Sequence, residues 1–380
     1  MREKHSPPIQ RIKLPARKPK KRPVAMVKKH LRVFWFFCLA GSSALAQQAV
    51  EPKTEPLRVV LIVLDGVRTE EFFGGTDPEL AREHGVLPRT REAIFPFLWQ
   101  EMAPRSSVLS GNIHANERGC FVSNNQRISL PSYADLLAGF RQSNVVSNRF
   151  RGKVKNATII DRLLDESLDP QEVAVFASWK HIKHIASQSR HSYHLETGPT
   201  AGGQAVPWAN ARADRDLFLS VSHFIRTHSP LRFLFIAFND ADEWAHLNRY
   251  DRYLESMSEQ DDYVRQIIYT LEAHPAYRGN TLYLITTDHG RGRGQAWMHH
   301  GHYEGSQYIW ALVDAPYTRS LDPALRAYWL EEMASHCSHA RMGQMVYSLL
   351  QQGSPAALSR RSGRPTRHSA HDLFYTEAMP

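Results

Sequence analysis

The stretch Leu282-Tyr283-Leu284-Ile285-Thr286-Thr287-Asp288-His289-Gly290 reads as a buried strand that runs straight into two potential metal ligands and a glycine. A capped turn is the plain alternative for its last three residues. Near-continuous apolar character, rather than strict alternation, is what a strand covered on both faces requires. Three further runs share it, at 57–64, 173–179 and 233–238, and another follows at 308–314. Helical patterns separate them, including 133–140, 214–227 and 261–273. Strands alternating with helices predict an α/β fold, a three-layer α/β/α sandwich with a mostly parallel central sheet. Ligands of such sheets collect beyond the carboxyl ends of the strands.

Chemistry-bearing residues fall at those ends. Asp65 closes the run Val-Val-Leu-Ile-Val-Leu and precedes Gly66, an Asp-Gly pair that also suits an ordinary turn. Asp242 and His246 follow the run 233–238 at a spacing of four, which puts both on one face of a starting helix. His299, His300 and His302 crowd together further on. Ser129 stands in Ser129-Leu130-Pro131-Ser132-Tyr133, an arrangement that reads both as a helix start and as a nucleophile at a helix N-terminus. Asp65, Asp242, Asp288, His246, His289, His300 and Ser129 together supply three carboxylates, three imidazoles and one hydroxyl. That inventory suits a two-metal site with a serine nucleophile, because a serine hydroxyl needs a base or a metal to attack at neutral pH.

This ordered set resembles the alkaline phosphatase superfamily, which includes phosphodiesterases, nucleotide pyrophosphatases, sulfatases and cofactor-independent phosphoglycerate mutases. The pieces that carry the resemblance are Leu64-Asp65-Gly66, Ser129 through Tyr133, Asp242-Glu243-Trp244-Ala245-His246, Thr287-Asp288-His289-Gly290 and His300-Gly301. It covers residues 57–350 and implies an alkaline-phosphatase-like catalytic domain within 47–350. It also implies one metal held by Asp242, His246 and His300. A second would be held by Asp65, Asp288 and His289, with Ser129 bridging toward it. His302 is the alternative to His300. Two divalent ions, zinc first and manganese second, fit such carboxylate and imidazole donors. Asn148 resembles the asparagine that related diesterases aim at a phosphate oxygen. The implied activity is hydrolysis of phosphoric mono- or diesters through a phosphoseryl intermediate, on a small-molecule substrate.

Departures from the pattern narrow the choice. A sulfatase signature needs an arginine where this chain has Tyr133, and a mutase needs a large insertion that the 129–242 interval has no room for. Arg149, Arg291 and Arg293 are available to hold extra phosphate charge. A catalytically inactive phospho-ligand-binding relative is the reading from another class; it conflicts with a complete ligand set. The histidines at 181, 184, 191 and 194 lack accompanying carboxylates or cysteines and read as a solvated helix and loop.

Net charge is +9, yet residues 1–46 alone hold 12 Lys or Arg against Glu3, which leaves −2 for residues 47–380. The basic excess therefore belongs to the leader and predicts no nucleic-acid partner. Lys28, Lys29 and Arg32 precede an apolar run at 33–45 and Ala44-Leu45-Ala46. That is a signal-peptide pattern, too short to span a bilayer stably, with Met26 as a candidate start. The expected location is periplasmic or secreted. Cys120 and Cys337 then either join in an oxidising compartment or stay as two buried thiols. Residues 351–380, rich in Ser, Arg and Pro, read as a mobile tail.

Overall fold

Val59, Leu61 and Val63 pack into one apolar cluster and Val60, Ile62 and Leu64 into another. The strand that carries them is therefore covered on both sides, as its unbroken hydrophobicity demands. The computed structural model describes residues 55–113, 119–166, 168–316 and 321–352. Its strands are β1 (Arg58–Leu64), β2 (Val108–Ser110), β3 (Cys120–Phe121), β4 (Val173–Ala177) and β5 (His194–Thr197). They continue with β6 (Phe233–Phe238), β7 (Thr281–Thr286), β8 (Tyr308–Ile309) and β9 (Ala311–Asp314). Seven form one sheet in the order β2-β9-β7-β1-β6-β4-β5, and β3 pairs with β8 apart from it. β7, β1, β6, β4 and β5 run parallel, whereas β9 is antiparallel to both β7 and β2.

Helices Ser129–Ala138, Ile159–Glu166, Pro323–Ser335 and His339–Leu350 cover one face, and helices Asp214–Thr227 and Tyr250–Ala273 cover the other. This is the expected three-layer α/β/α sandwich. Among the described residues no helix is long and apolar enough to cross a membrane.

Three boundaries differ from the sequence reading for physical reasons. The run 308–314 breaks at Trp310, whose ring stacks on Phe72 at 3.7 Å and whose indole N–H donates to the Val67 carbonyl at 3.1 Å. The helix expected at 133–140 begins earlier, at Ser129, since Pro131 is tolerated in a first turn; it stops at Gly139, which takes the left-handed conformation (φ 72°). The helix expected from 261 extends back to Tyr250, because Tyr250, Tyr253, Leu254 and Met257 continue its buried stripe. Cys120 and Cys337 are joined, a bond that ties β3 to the start of the last helix across 217 positions. The leader at 1–46 lies outside the described residues, as do all but the first two positions of the tail at 351–380.

Candidate active site

β7, β1 and β6 are neighbours at the centre of the sheet, so the residues just past their carboxyl ends meet. β6 and β7, consecutive in the chain, flank β1 on its two sides, so all three strand ends face the same space beyond the sheet, where ligands of such folds collect. Asp65, Asp242, Asp288 and His289 converge there, and all four are buried.

Gly66 makes the close approach feasible. It adopts φ +67°, and a Cβ at that position would lie 2.5 Å from Asp242 Oδ1 and 2.9 Å from Arg291 Nη1. Its N–H donates to Asp288 Oδ1 at 3.0 Å, and the His289 N–H donates to the same oxygen at 2.9 Å. Asp288 Oδ2 is left buried with no hydrogen-bond donor among the described residues, and so is Asp65 Oδ1. The other Asp65 oxygen accepts from the Tyr133 hydroxyl at 3.0 Å. His289 donates Nδ1–H to the Gly290 carbonyl at 2.9 Å, which fixes the tautomer and leaves Nε2 with its lone pair.

That Nε2 faces Ser129 Oγ at 3.1 Å, Asp288 Oδ2 at 3.4 Å and Asp65 Oδ1 at 3.7 Å. His246 Nε2 lies 3.2 Å from Asp242 Oδ2 and 3.1 Å from His300 Nε2. Donors about 2.0–2.1 Å from a tetrahedral ion stand roughly 3.3 Å from one another. Both groups of atoms have spacings close to that edge, and two of their buried oxygens want a cation. The donor set therefore fits two metal ions. Asp65, Asp288 and His289 group as the resemblance implies, while Asp242 and His300 lie close to His289 as well as to His246, so His289 stands between the two groups.

Electrostatics agree. Burial, and then the charges of Asp288 and Asp242, hold the Asp65 carboxyl well above the usual range. Burial likewise raises Asp288. It would raise Asp242 too, but His246 and Arg291 beside it hold that carboxyl well below the ordinary value. His300 is pushed well down, by burial first and by His289 second. Its position facing His246 selects it over His302, which is exposed and stacks on Tyr303 at 4.8 Å.

Ser129 is the first residue of its helix, and its side chain is free of capping duty. Asn148 does part of that work instead, since its Oδ1 accepts the Leu130 N–H at 2.9 Å. The bond sets Asn148 beside Ser129 and turns its amide nitrogen into the remaining donor of a fixed group.

Three contacts were not visible in the sequence. Arg291, offered there as an unassigned phosphate partner, is fully buried and bonds Asp242 Oδ1, so Asp242 presents Oδ2 alone to the metal group. Its Nε and Nη2 donate to the Trp297 carbonyl at 2.9 Å and the Met298 carbonyl at 2.7 Å. His339 donates from Nε2 to the Thr287 carbonyl at 3.0 Å, beneath the Asp288–His289 step. Tyr133 holds Asp65. Arg293, by contrast, is exposed and pairs with Glu70 at 3.2 Å and Glu304 at 3.5 Å.

Loss of a partner that orients a ligand typically weakens metal affinity by about 10–100-fold. Tyr133→Phe keeps the ring and removes that one bond to Asp65. It should therefore weaken one metal-binding step of a titration by at least about tenfold and leave the other unchanged. Equal affinities in both steps would mean Tyr133 merely fills space.

No protein-family model matches the sequence, and no curated protein matches it. Solved structures do. One is a 2-O GAG sulfatase, 14% identical, with a TM-score of 0.50 over 86% of this chain and 76% of that one. Another is a sulfatase-type protein from Bacteroides thetaiotaomicron, also 14% identical, with a TM-score of 0.51 over 82% of this chain and 76% of that one. At such identities the likeness establishes the fold. It is the alkaline-phosphatase-like α/β/α sandwich that the sequence resemblance implied.

Proposed function

We propose that this chain is an exported, metal-dependent hydrolase of phosphoric esters that uses Ser129 as its nucleophile. One observation carries the reading: Ser129 Oγ stands 3.1 Å from His289 Nε2, at the junction of two groups of metal donors. Asp242, His246 and His300 would hold one ion and Asp65, Asp288, His289 and Ser129 the other. When bound, the ions, zinc in preference to manganese, would stabilise the charge of the attacking and leaving oxygens.

The chain's own residues do the rest. His289 Nε2, the one ring nitrogen not engaged with the Gly290 carbonyl, would be given to the ion, and its 3.1 Å approach to Ser129 Oγ sets the hydroxyl beside that ion as a fellow donor. Ser129 Oγ then bonds to phosphorus as the bond to the leaving oxygen breaks, and the hydroxyl proton ends on that oxygen, which yields a phosphoseryl chain and an alcohol. Water cleaves that ester, releases phosphate (or, from a diester, the phosphate monoester) and restores the hydroxyl. Asn148, fixed through its Oδ1, offers its amide N–H groups to a non-bridging oxygen next to Ser129.

A sulfuric ester is the second reading, because the two sulfatase structures share the fold. Against it, position 133 carries a tyrosine committed to Asp65, not the arginine of the sulfatase signature. The disulfide supports export, since such bonds persist in oxidising compartments.

Initial rates on p-nitrophenyl phosphate, bis-p-nitrophenyl phosphate and p-nitrophenyl sulfate, measured on the zinc-loaded chain from Gln47 onward, test the choice. A phosphate ester should be turned over at least about a hundredfold faster than the sulfate, a margin of roughly 2.7 kcal/mol in the barrier. A faster sulfate reaction would replace the first reading with the second.

A further inference from the structure

The near-neutral total for residues 47–380 hides a segregation of charge beside the site. Residues 141–160 contain Arg141, Arg149, Arg151, Lys153 and Lys155 with no Asp or Glu, and residues 173–195 contain Lys180, Lys183 and Arg190 with none either.

The fold brings Arg149 and Arg151 of the first segment and Lys180 and Lys183 of the second together beside the start of the nucleophile's helix, whereas Lys153 and Lys155 turn back to pair through their main chains with Asn144. Asn148 binds the Leu130 N–H, so the chain leaves the start of the Ser129 helix directly into Arg149 and Arg151. The other segment follows β4, which is parallel to β6, so Lys180 and Lys183 emerge at the same end of the sheet as Asp65, Asp242 and Asp288. The short helix Lys180–His184 packs against the Ser129 helix. Arg151 ties the two segments through His181 Nε2 at 2.9 Å and donates to the Asn148 carbonyl at 3.1 Å.

Pairing marks this cluster off from the rest of the molecule. Elsewhere Arg68, Arg105, Arg212 and Arg265 each face a carboxylate. Among the described residues, none of Arg149, Arg151, Lys180 or Lys183 has an ion-pair partner. All but Lys180 are exposed. The local field is felt by His181, which burial and then Arg151, Lys180, His184 and Lys183 push down to about 4. Like charges gathered without counter-charges repel each other, and a bound polyanion would relieve that repulsion while concentrating such a ligand at the mouth.

We propose that this basic wall receives the leaving group of the ester, and that the leaving group carries negative charge beyond the ester that is cleaved. The inference rests on the hydrolase reading for the word "leaving", but the wall is testable without turnover. A lone phosphate or sulfate ester gains little from four cations; a multiply charged sugar or polyol gains from each of them.

The experiment uses the metal-loaded chain and sucrose octasulfate, a compact polyanion, with sucrose as the neutral control. Calorimetric titration at low salt should show binding of the octasulfate and not of sucrose. The affinity should fall as salt rises and the charges are screened. The double variant Lys180→Gln/Lys183→Gln alters two side chains of the short helix that packs against the Ser129 helix, neither of which has an ion-pair partner among the described residues. It should bind the octasulfate at least about tenfold more weakly. The compound should also raise KM for p-nitrophenyl phosphate in the parent chain and far less in the variant, whose kcat on that small ester stays the same. Equal binding by parent and variant, or inhibition that is not competitive, overturns the wall. If no ester is turned over yet binding still depends on the two lysines, the hydrolase reading fails and the wall survives.

Discussion

Ser129→Ala is expected to lower turnover of the preferred phosphate ester by at least about a thousandfold, roughly 4 kcal/mol in the barrier, while metal content stays the same. The expectation comes from the division of labour around position 129. Oγ makes its hydrogen bond to His289 and none that caps its own helix. The first turn is supported from outside, by Asn148, and the helix is anchored by Leu130, Tyr133, Leu136 and Leu137 in the core. Alanine therefore removes the attacking atom without loosening the helix. Five carboxylate and imidazole donors besides His289 remain to hold ions, so metal analysis and melting temperature should match those of the parent. A variant that keeps more than about a tenth of the rate would show that water, not Ser129, attacks the ester.

What the sequence made legible follows from which interactions are local. β1, β6 and β7 were readable because strands buried on both faces leave an unbroken apolar run. Asp65 and the Asp288–His289 pair were readable because they follow those runs directly. Asp242 and His246 were readable because a helix repeats on one face every four residues. Contacts across long sequence separations carried no such signature. Arg291 reaches Asp242 over 49 positions, His339 reaches Thr287 over 52, and Tyr133 reaches Asp65 over 68. No spacing rule connects those pairs. Tyr133 was noticed for the arginine it replaces, whereas its use, holding Asp65, needed the fold. The disulfide stayed open in the sequence because two cysteines 217 positions apart carry no geometry until β3 meets the last helix. The basic wall was lost in a sum, since the acids that balance it lie elsewhere in the chain.

Removing divalent ions with a chelator is expected to abolish turnover and to lower Tm, with both restored by zinc. Asp65 and Asp288 are fully buried, and each has an oxygen that no donor among the described residues reaches. Three carboxylates in one crevice, with Arg291 engaged on Asp242, leave negative charge that burial and mutual repulsion make costly. Ions bound at about a hundredfold above their dissociation constants would each stabilise the fold by about 2.7 kcal/mol. Two such ions correspond to a Tm shift on the order of 10 °C for a domain of this size. Asp288→Asn separates this effect from a general action of the chelator. It removes one charge at a position where Gly66 and His289 still find their acceptor. The variant should bind fewer ions, melt less sensitively to chelator than the parent, and lose turnover without it. Unchanged melting and unchanged rates in the stripped parent would mean that the two donor groups hold no metal, and that Asp65 and Asp288 share a proton instead.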